Sequence, residues 1–101
     1  MNRLTIALLA AGYVFAGQAS ASEALAKSKN CLSCHAADKK IVGPAYKDVA
    51  VKYKGQGDAV AKLAGKIKSG GKGVWGEVPM PPNNVTDDEA KKLAAWVLAT
   101  K

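Results

Sequence analysis

The sequence is poor in the residues on which several common functions depend. Its 101 residues include two cysteines, one histidine, one arginine and one phenylalanine. Proteins that recognise duplex DNA rely on arginine for bidentate contacts to bases, and single-strand binders interleave aromatic with basic side chains. The chain also lacks a glycine-rich phosphate loop and a Ser/His/Asp set with an oriented base. Nucleic-acid binding and ordinary hydrolase or transferase chemistry are therefore not expected.

The first 21 residues have the pattern of a secretory signal peptide. Arg3 precedes an apolar run of thirteen residues from Leu4 to Ala16, and Ala19-Ser20-Ala21 provides a cleavage site of small residues. Thirteen residues are too few for a membrane span, which needs about 20, and no second hydrophobic segment follows. We expect cleavage after Ala21, a periplasmic location and no stable membrane insertion. An uncleaved anchor is the alternative.

The remaining domain, residues 22–101, is small and basic. Cleavage removes the only arginine and the only phenylalanine, and leaves 14 lysines against eight acidic residues, a net charge of +6. A chain of about 80 residues buries a small fraction of its surface and usually needs a disulfide, a metal or a cofactor to fold. Only two cysteines are present to provide such a link. A monomer is the default expectation for its oligomeric state.

The hydrophobic spacing predicts an all-α domain of four short helices without strands or repeats. Asp58 is a suitable N-cap for the third helix, and Thr86-Asp87-Asp88-Glu89 forms a capping box for the fourth. The first three helices are predicted over residues 22–30, 45–54 and 59–69. Apolar residues of the last two helices recur on one face, namely Val60, Leu63, Ala64 and Ile67 in the third and Ala90, Leu93, Ala94, Val97 and Leu98 in the fourth.

The most informative motif is Cys31-Leu32-Ser33-Cys34-His35, the attachment motif of a c-type haem. Its spacing lets the two thiols add across the two vinyl groups on one edge of the porphyrin, with the adjacent imidazole under the iron. A disulfide or a thioredoxin-like redox pair is the first alternative, but no strand precedes the motif. A structural zinc site is the second, and the chain offers three ligands of this kind where zinc takes four.

Met80 is the candidate for the second axial ligand of the iron. His35 is the only histidine, and Met80 is the only methionine left after cleavage. Met80 lies in Val78-Pro79-Met80-Pro81-Pro82, where the prolines restrict the backbone before any ligand binds and so lower the entropy cost of presenting the thioether. Core packing is the ordinary role of a single methionine. The missing rival ligands and the prolines favour ligation here.

Other residues have roles that follow from what a bound haem requires. A carbonyl of Gly43-Pro44 is expected to accept the proton on the non-ligating nitrogen of His35. The indole N–H of Trp75 is placed to reach a haem propionate, since this residue follows a glycine-rich turn shortly before Met80. Trp96 is assigned to packing. Tyr46 and Tyr53 have no assigned role.

These motifs, in this order, resemble those of a small bacterial class I cytochrome c, the cytochrome c-551 or cytochrome c8 family. The resemblance covers residues 22–101 and is carried by the haem motif and by two further segments, Val42-Gly43-Pro44-Ala45-Tyr46-Lys47-Asp48-Val49-Ala50 and Gly73-Val74-Trp75-Gly76 followed by Val78-Pro79-Met80-Pro81-Pro82-Asn83. It implies a four-helix fold around one covalent haem c and its iron.

The resemblance also implies roles for individual residues. It implies thioether links through Cys31 and Cys34, axial ligation by His35 and Met80, and a bond from His35 to the Pro44 carbonyl. Trp75 is then near a propionate, and the Asn83 side chain reaches toward the axial methionine. Lys66 stands where some relatives have arginine near a propionate, so a bidentate contact is not available there.

The function expected from the sequence is one-electron transfer through the exposed haem edge, not enzymatic turnover. Dispersed lysines near that edge would steer transient redox partners with acidic patches. A quinol-oxidising complex is a suitable donor, and a nitrite reductase, a peroxidase or a terminal oxidase is a suitable acceptor. Two alternatives stay open. One is an enzyme or sensor in which Met80 is labile, and the other is a haem-free module with a Cys31–Cys34 disulfide.

Overall fold

The fold is all-helical, as the hydrophobic spacing predicts. The computed structural model describes residues 21–101, so most of the predicted signal peptide lies outside the described residues and its cleavage stays a prediction. Helix α1 covers residues 21–28, and a 3-10 turn at Cys31–Ser33 follows it. The later helices are α2 at Tyr46–Lys52, α3 at Ala59–Ser69 and α4 at Asp87–Leu98. Within residues 21–101 there are two isolated β-bridges and no strand.

Helix α4 is the centre of the packing, because both α2 and α3 lie against it. Its buried face is formed by Ala90, Leu93, Ala94 and Val97, as expected. The predicted face of α3 needs one correction, since Val60 is 40% exposed and Ala59 is buried in its place. The buried residues of α3 are Ala59, Leu63, Ala64 and Ile67. They follow a four-residue spacing that leaves Val60 at the edge of the apolar stripe.

The two predicted N-caps behave differently. Thr86 has extended backbone angles (φ −75°, ψ 166°) and its hydroxyl accepts a hydrogen bond from the Glu89 N–H at 3.1 Å, while the Glu89 carboxylate accepts from the Thr86 N–H at 2.9 Å. Asp58 precedes α3, but its side chain makes no capping bond, and its carboxylate lies 3.5 Å from Lys62 Nζ. Its ψ of 14° is not the extended conformation of a capping residue. The prediction that Asp58 caps α3 by its side chain is therefore wrong.

We expect Thr86→Ala to lower the free energy of unfolding by about 1 kcal/mol, because the first turn of α4 loses the acceptor for a backbone N–H. Asp58→Ala is the matched control, since it removes a residue at the same helical position that makes no capping bond. Only a few tenths of a kcal/mol are expected from the loss of its exposed ion pair. Denaturant titrations of both variants measure the difference, and equal losses would contradict the assignment.

Carboxylates at the start of α4 carry a pH dependence of known sign. The backbone N–H of Thr86 holds the pKa of Glu89 below its ordinary value of 4.5, and the hydrogen bond from Lys68 holds the pKa of Asp87 below 3.8. Both groups bind protons more weakly in the folded protein than in the unfolded chain. Their contribution to stability is therefore complete above these ordinary values and is lost as the pH falls through the lowered pKa.

No helix in residues 21–101 has the length and apolar character needed to cross a bilayer.

Candidate functional site

A cleft of about 270 Å³ brings together the four residues that the sequence assigns to haem attachment and ligation. Cys31, Cys34 and His35 line it from the motif, and Met80 lines it from the loop before α4. Both thiols are free. Burial raises the pKa of the Cys31 thiol. The cleft thus presents two thiols, one imidazole and one thioether to the same space.

The walls of the cleft are mainly apolar and reach the core of the domain. Side chains from α3 and α4 form its deep part, namely Leu63, Ile67, Leu93 and Val97. Around its mouth Val42, Val74 and Val78 are each more than 40% exposed. Large exposed apolar side chains that surround a cleft mark a binding site for an apolar group.

The motif folds into a tight turn that fixes the direction of the histidine. The N–H groups of Cys34 and His35 donate to the Cys31 carbonyl at 3.2 and 3.0 Å, and the Gly43 N–H donates to the Cys34 carbonyl at 2.8 Å. His35 Nδ1 lies 2.8 Å from the Pro44 carbonyl oxygen, the contact expected from the sequence. With Nδ1–H as the donor in this bond, Nε2 keeps its lone pair for a metal.

Two neighbours hold the imidazole plane. The Tyr46 ring stacks on it, with 5.1 Å between ring centroids and 22° between planes, and Trp96 meets Tyr46 edge-on at 5.4 Å. Gly43 contacts the imidazole with its backbone, since a Cβ there would lie 2.8 Å from His35 Nδ1 and 3.0 Å from Nε2. The sequence assigned no role to Tyr46 and treated Gly43 as part of a turn. Tyr46 and Gly43 both hold the imidazole of His35 in place, and Trp96 contributes by packing on Tyr46.

Burial raises the pKa of Tyr46 well above its ordinary value of 10. Its phenol therefore stays neutral and places no charge beside the histidine.

The Met80 loop is held against the end of α3. Met80 N–H donates to the Gly71 carbonyl at 2.8 Å, and Gly71 N–H donates to the Met80 carbonyl at 3.0 Å. The Asn83 side-chain amide donates to the Ile67 carbonyl at 2.8 Å and to the Pro81 carbonyl at 3.3 Å. The resemblance implies that Asn83 reaches toward the methionine. In the structure its amide thus contacts one carbonyl at the end of α3 and one within the loop, and it positions the loop. A contact of this amide with the Met80 thioether stays a prediction.

Trp75, which is expected near a propionate, lines the cleft, and so does Lys66, which stands where some relatives have arginine. Trp75 is 42% exposed, and Lys52 Nζ lies 5.5 Å above its ring centroid, in the geometry of a cation–π contact. Tyr53, which had no assigned role, is buried and also lines the cleft. The bond of Trp75 to a propionate stays a prediction.

Among residues 21–101 no group of three or more His, Cys, Asp and Glu side chains is arranged to hold a metal ion.

An all-helical domain with a Cys-x-x-Cys-His turn and a methionine loop facing the same apolar cleft has the architecture of a small class I cytochrome c. Comparison with known proteins agrees. The sequence model of the family described as cytochrome c matches residues 19–101. The chain therefore belongs to the cytochrome c family.

Named relatives and solved structures support the same assignment. The chain is 62% identical over 94 residues to cytochrome c-552 of Hydrogenobacter thermophilus, covering 93% of this chain and 96% of the relative. It is 57% identical over 98 residues to cytochrome c-551 of Pseudomonas aeruginosa, covering 95% and 94%. The crystal structure of wild-type Nitrosomonas europaea cytochrome c552 superimposes with a TM-score of 0.76 at 56% identity, covering 78% of this chain and 99% of that one. The resemblance to the c-551 family is confirmed.

Membership of this family implies one covalently bound haem c with its iron, and the residues present fit it. The cleft is apolar, it carries both thiols at the attachment spacing, and it exposes one imidazole and one thioether. Gly43 leaves room for the imidazole where any other residue would displace it.

Proposed function

We propose that the protein is a periplasmic electron-transfer protein that shuttles one electron through a single c-type haem. Cys31 and Cys34 would hold the haem by thioether bonds, and His35 and Met80 would be its axial ligands. It would donate to an acceptor such as a nitrite reductase, a peroxidase or a terminal oxidase. The observation that carries the proposal is the cleft in which the only histidine and the only methionine of residues 21–101 line the same space.

The chemistry that the haem supplies is the reversible one-electron change between ferric and ferrous iron. The chain determines how readily this change occurs. Pro44 orients His35 and makes its Nε2 a better electron donor by accepting the Nδ1 proton in a hydrogen bond. The Met80 thioether is neutral and soft, so it favours the ferrous state and raises the reduction potential relative to a second histidine. With His35 and Met80 both holding the iron, no coordination position would be left for a substrate, which supports electron transfer over enzymatic turnover.

Visible spectra of the purified protein test this proposal. We expect low-spin c-type spectra in the ferric and dithionite-reduced states, the weak far-red band of methionine-ligated ferric haem, and no response of the reduced form to carbon monoxide. A high-spin spectrum or rapid carbon monoxide binding would overturn it and would support a sensor or enzyme with a labile Met80. A colourless product made alongside haem-attachment machinery would instead support the haem-free module.

The positive charge at the cleft supports the proposal that the redox partners have acidic surfaces and bind transiently. Three lysines of the described chain form ion pairs, Lys27 with Glu23, Lys62 with Asp58 and Lys68 with Asp87. The lysines that line the cleft, Lys40, Lys66 and Lys72, form no such pair. Asp48 is the acidic residue that lines it beside them. The excess of positive charge at the cleft can attract an acidic surface over a distance of about a Debye length, roughly 10 Å at 0.1 M salt. We also propose that the protein is a monomer and that it does not bind nucleic acid.

Removing charge at the cleft should slow association more than removing it elsewhere. We expect Lys40→Gln/Lys72→Gln to lower the bimolecular rate of electron exchange with an acidic redox protein several-fold at low salt, and the rate of the unchanged protein to fall as salt is added. The control is Lys91→Gln/Lys92→Gln, which has the same net charge but changes two exposed lysines of α4 that neither line the cleft nor form one of these ion pairs. Stopped-flow mixing measures both. Equal effects of the two double variants would show that only the net charge matters.

The position of the N-terminus in the exported protein tests the periplasmic location. The exported protein is expected to begin at Ser22, and its intact mass reports this directly. A mass that retains residues 1–21 would support the uncleaved anchor.

A further inference from the structure

Gly70, the residue directly after α3, has a backbone conformation that other residues avoid. Its φ of 73° and ψ of −170° lie in a region populated essentially by glycine alone. A Cβ at this position would collide with the Met80 carbonyl oxygen and would lie 2.9 Å from Pro81 C and from Pro82 N. All three are backbone atoms, so none of them can rotate away as the end of a side chain could.

This close approach brings the Met80 loop onto the last turn of α3. The paired hydrogen bonds between Gly71 and Met80 start at the residue after Gly70. Farther along the loop, the Asn83 N–H donates to the Lys68 carbonyl at 3.3 Å and its side chain donates to the Ile67 carbonyl. Helix α3 is itself packed on α4. The loop is therefore attached to the end of α3 on both sides of Pro81-Pro82, at Met80 and at Asn83.

The prolines alone cannot provide this attachment. They restrict the backbone of residues 79–82, but a proline has no N–H to donate. Met80 is the single backbone donor in Pro79-Met80-Pro81-Pro82, and it donates to the Gly71 carbonyl. The position of the thioether then depends on how closely the loop can approach the end of α3.

We infer that Gly70 is a positioning residue for Met80: the absence of a side chain lets the Met80 backbone lie against the end of α3, and α3 thereby sets the position of the thioether. The inference rests on the proposed ligation of the haem iron by Met80.

Gly70→Ala in the haem-loaded protein tests it. The added methyl group must push the loop away from α3, so we expect a weakened far-red methionine band in the ferric state and a lower reduction potential. Added imidazole competes with Met80 for the iron, and its apparent affinity rises with the fraction of protein in which Met80 is detached. We expect this affinity to rise at least about tenfold.

Gly55→Ala is the matched control for backbone strain. Gly55 has a similar φ of 82°, but a Cβ there would meet no atom within 4 Å. It lies in the turn between α2 and α3, away from the Met80 loop. We expect this variant to unfold more easily while its far-red band, potential and imidazole affinity stay as in the unchanged protein.

The outcomes are distinguishable. If Gly70→Ala shows the same far-red band and the same imidazole affinity as Gly55→Ala, the inference is overturned, and the ligation by Met80 is unaffected. If the ferric variant does not fold, the comparison is made on the ferrous proteins with carbon monoxide as the probe, where binding to Gly70→Ala alone supports the inference. If Gly70→Ala folds in neither oxidation state and Gly55→Ala folds in both, the role of Gly70 is in folding and the inference fails. If the protein without any substitution lacks the far-red band, the proposed ligation of the iron by Met80 is overturned.

Discussion

Met80→Ala is expected to open the iron to external ligands and to lower the reduction potential by roughly a few tenths of a volt, within the range of about 0.8 V that axial ligands set. Met80 is the only thioether among residues 21–101, and His35 is the only imidazole, so no other side chain of this kind can replace the lost ligand. The ferric spectrum should become high-spin, and the ferrous protein should bind carbon monoxide. Spectra and a redox titration measure both effects.

Met80→His is the conservative companion variant, because it keeps a ligand in the same loop but changes its chemistry. It should stay low-spin and closed to carbon monoxide while its potential falls, since a second imidazole does not favour ferrous iron as a thioether does. The pair separates the loss of a ligand from the identity of that ligand. A Met80→Ala protein with unchanged spectrum and potential would remove Met80 from the site.

Cys31→Ala/Cys34→Ala is expected to abolish covalent haem attachment and, with it, the folded domain. A chain of about 80 residues is marginally stable without a cross-link or cofactor. Here Leu63 of α3 and Leu93 of α4 line the cleft. Without haem, both helices would lose a packing partner in the core. A haem stain after denaturing electrophoresis measures attachment, and far-ultraviolet circular dichroism measures helix content.

Ser33→Ala is the control for the cysteine variant. Ser33 lies between the cysteines in the same turn, is exposed, and makes no side-chain hydrogen bond within the described residues. It should attach haem and fold normally. A double cysteine variant that folds to full helix content without haem would support a haem-free module.

The residues predicted well from the sequence are those whose role depends on near neighbours in the chain. The haem motif spans five residues, and the capping box of α4 spans four, so spacing alone brings their groups together. Met80 was found differently, by elimination, because the chain has so few possible ligands. The four helices followed from periodicity and from glycine and proline boundaries.

The sequence is less informative where backbone angles or distant contacts decide. Asp58 has the right residue type for a cap, but its ψ directs the carboxylate to Lys62. Asn83 finds its partner at Ile67, sixteen residues earlier, at the end of a different helix. For Gly43 and Gly70 the sequence shows a turn residue, but it cannot show which atom occupies the space where a Cβ would stand. These close approaches are visible only after the elements have packed.

The single backbone N–H between residues 79 and 82 also makes the loop unusually simple to observe. Because three of these four residues are prolines, Met80 has the only amide proton in that stretch that can exchange with solvent deuterium. Its exchange rate reports how often the bond to Gly71 opens, free of overlap from neighbouring amides of the same segment. One nuclear magnetic resonance signal of the diamagnetic ferrous protein therefore follows the opening of the ligand loop on the scale of minutes to hours.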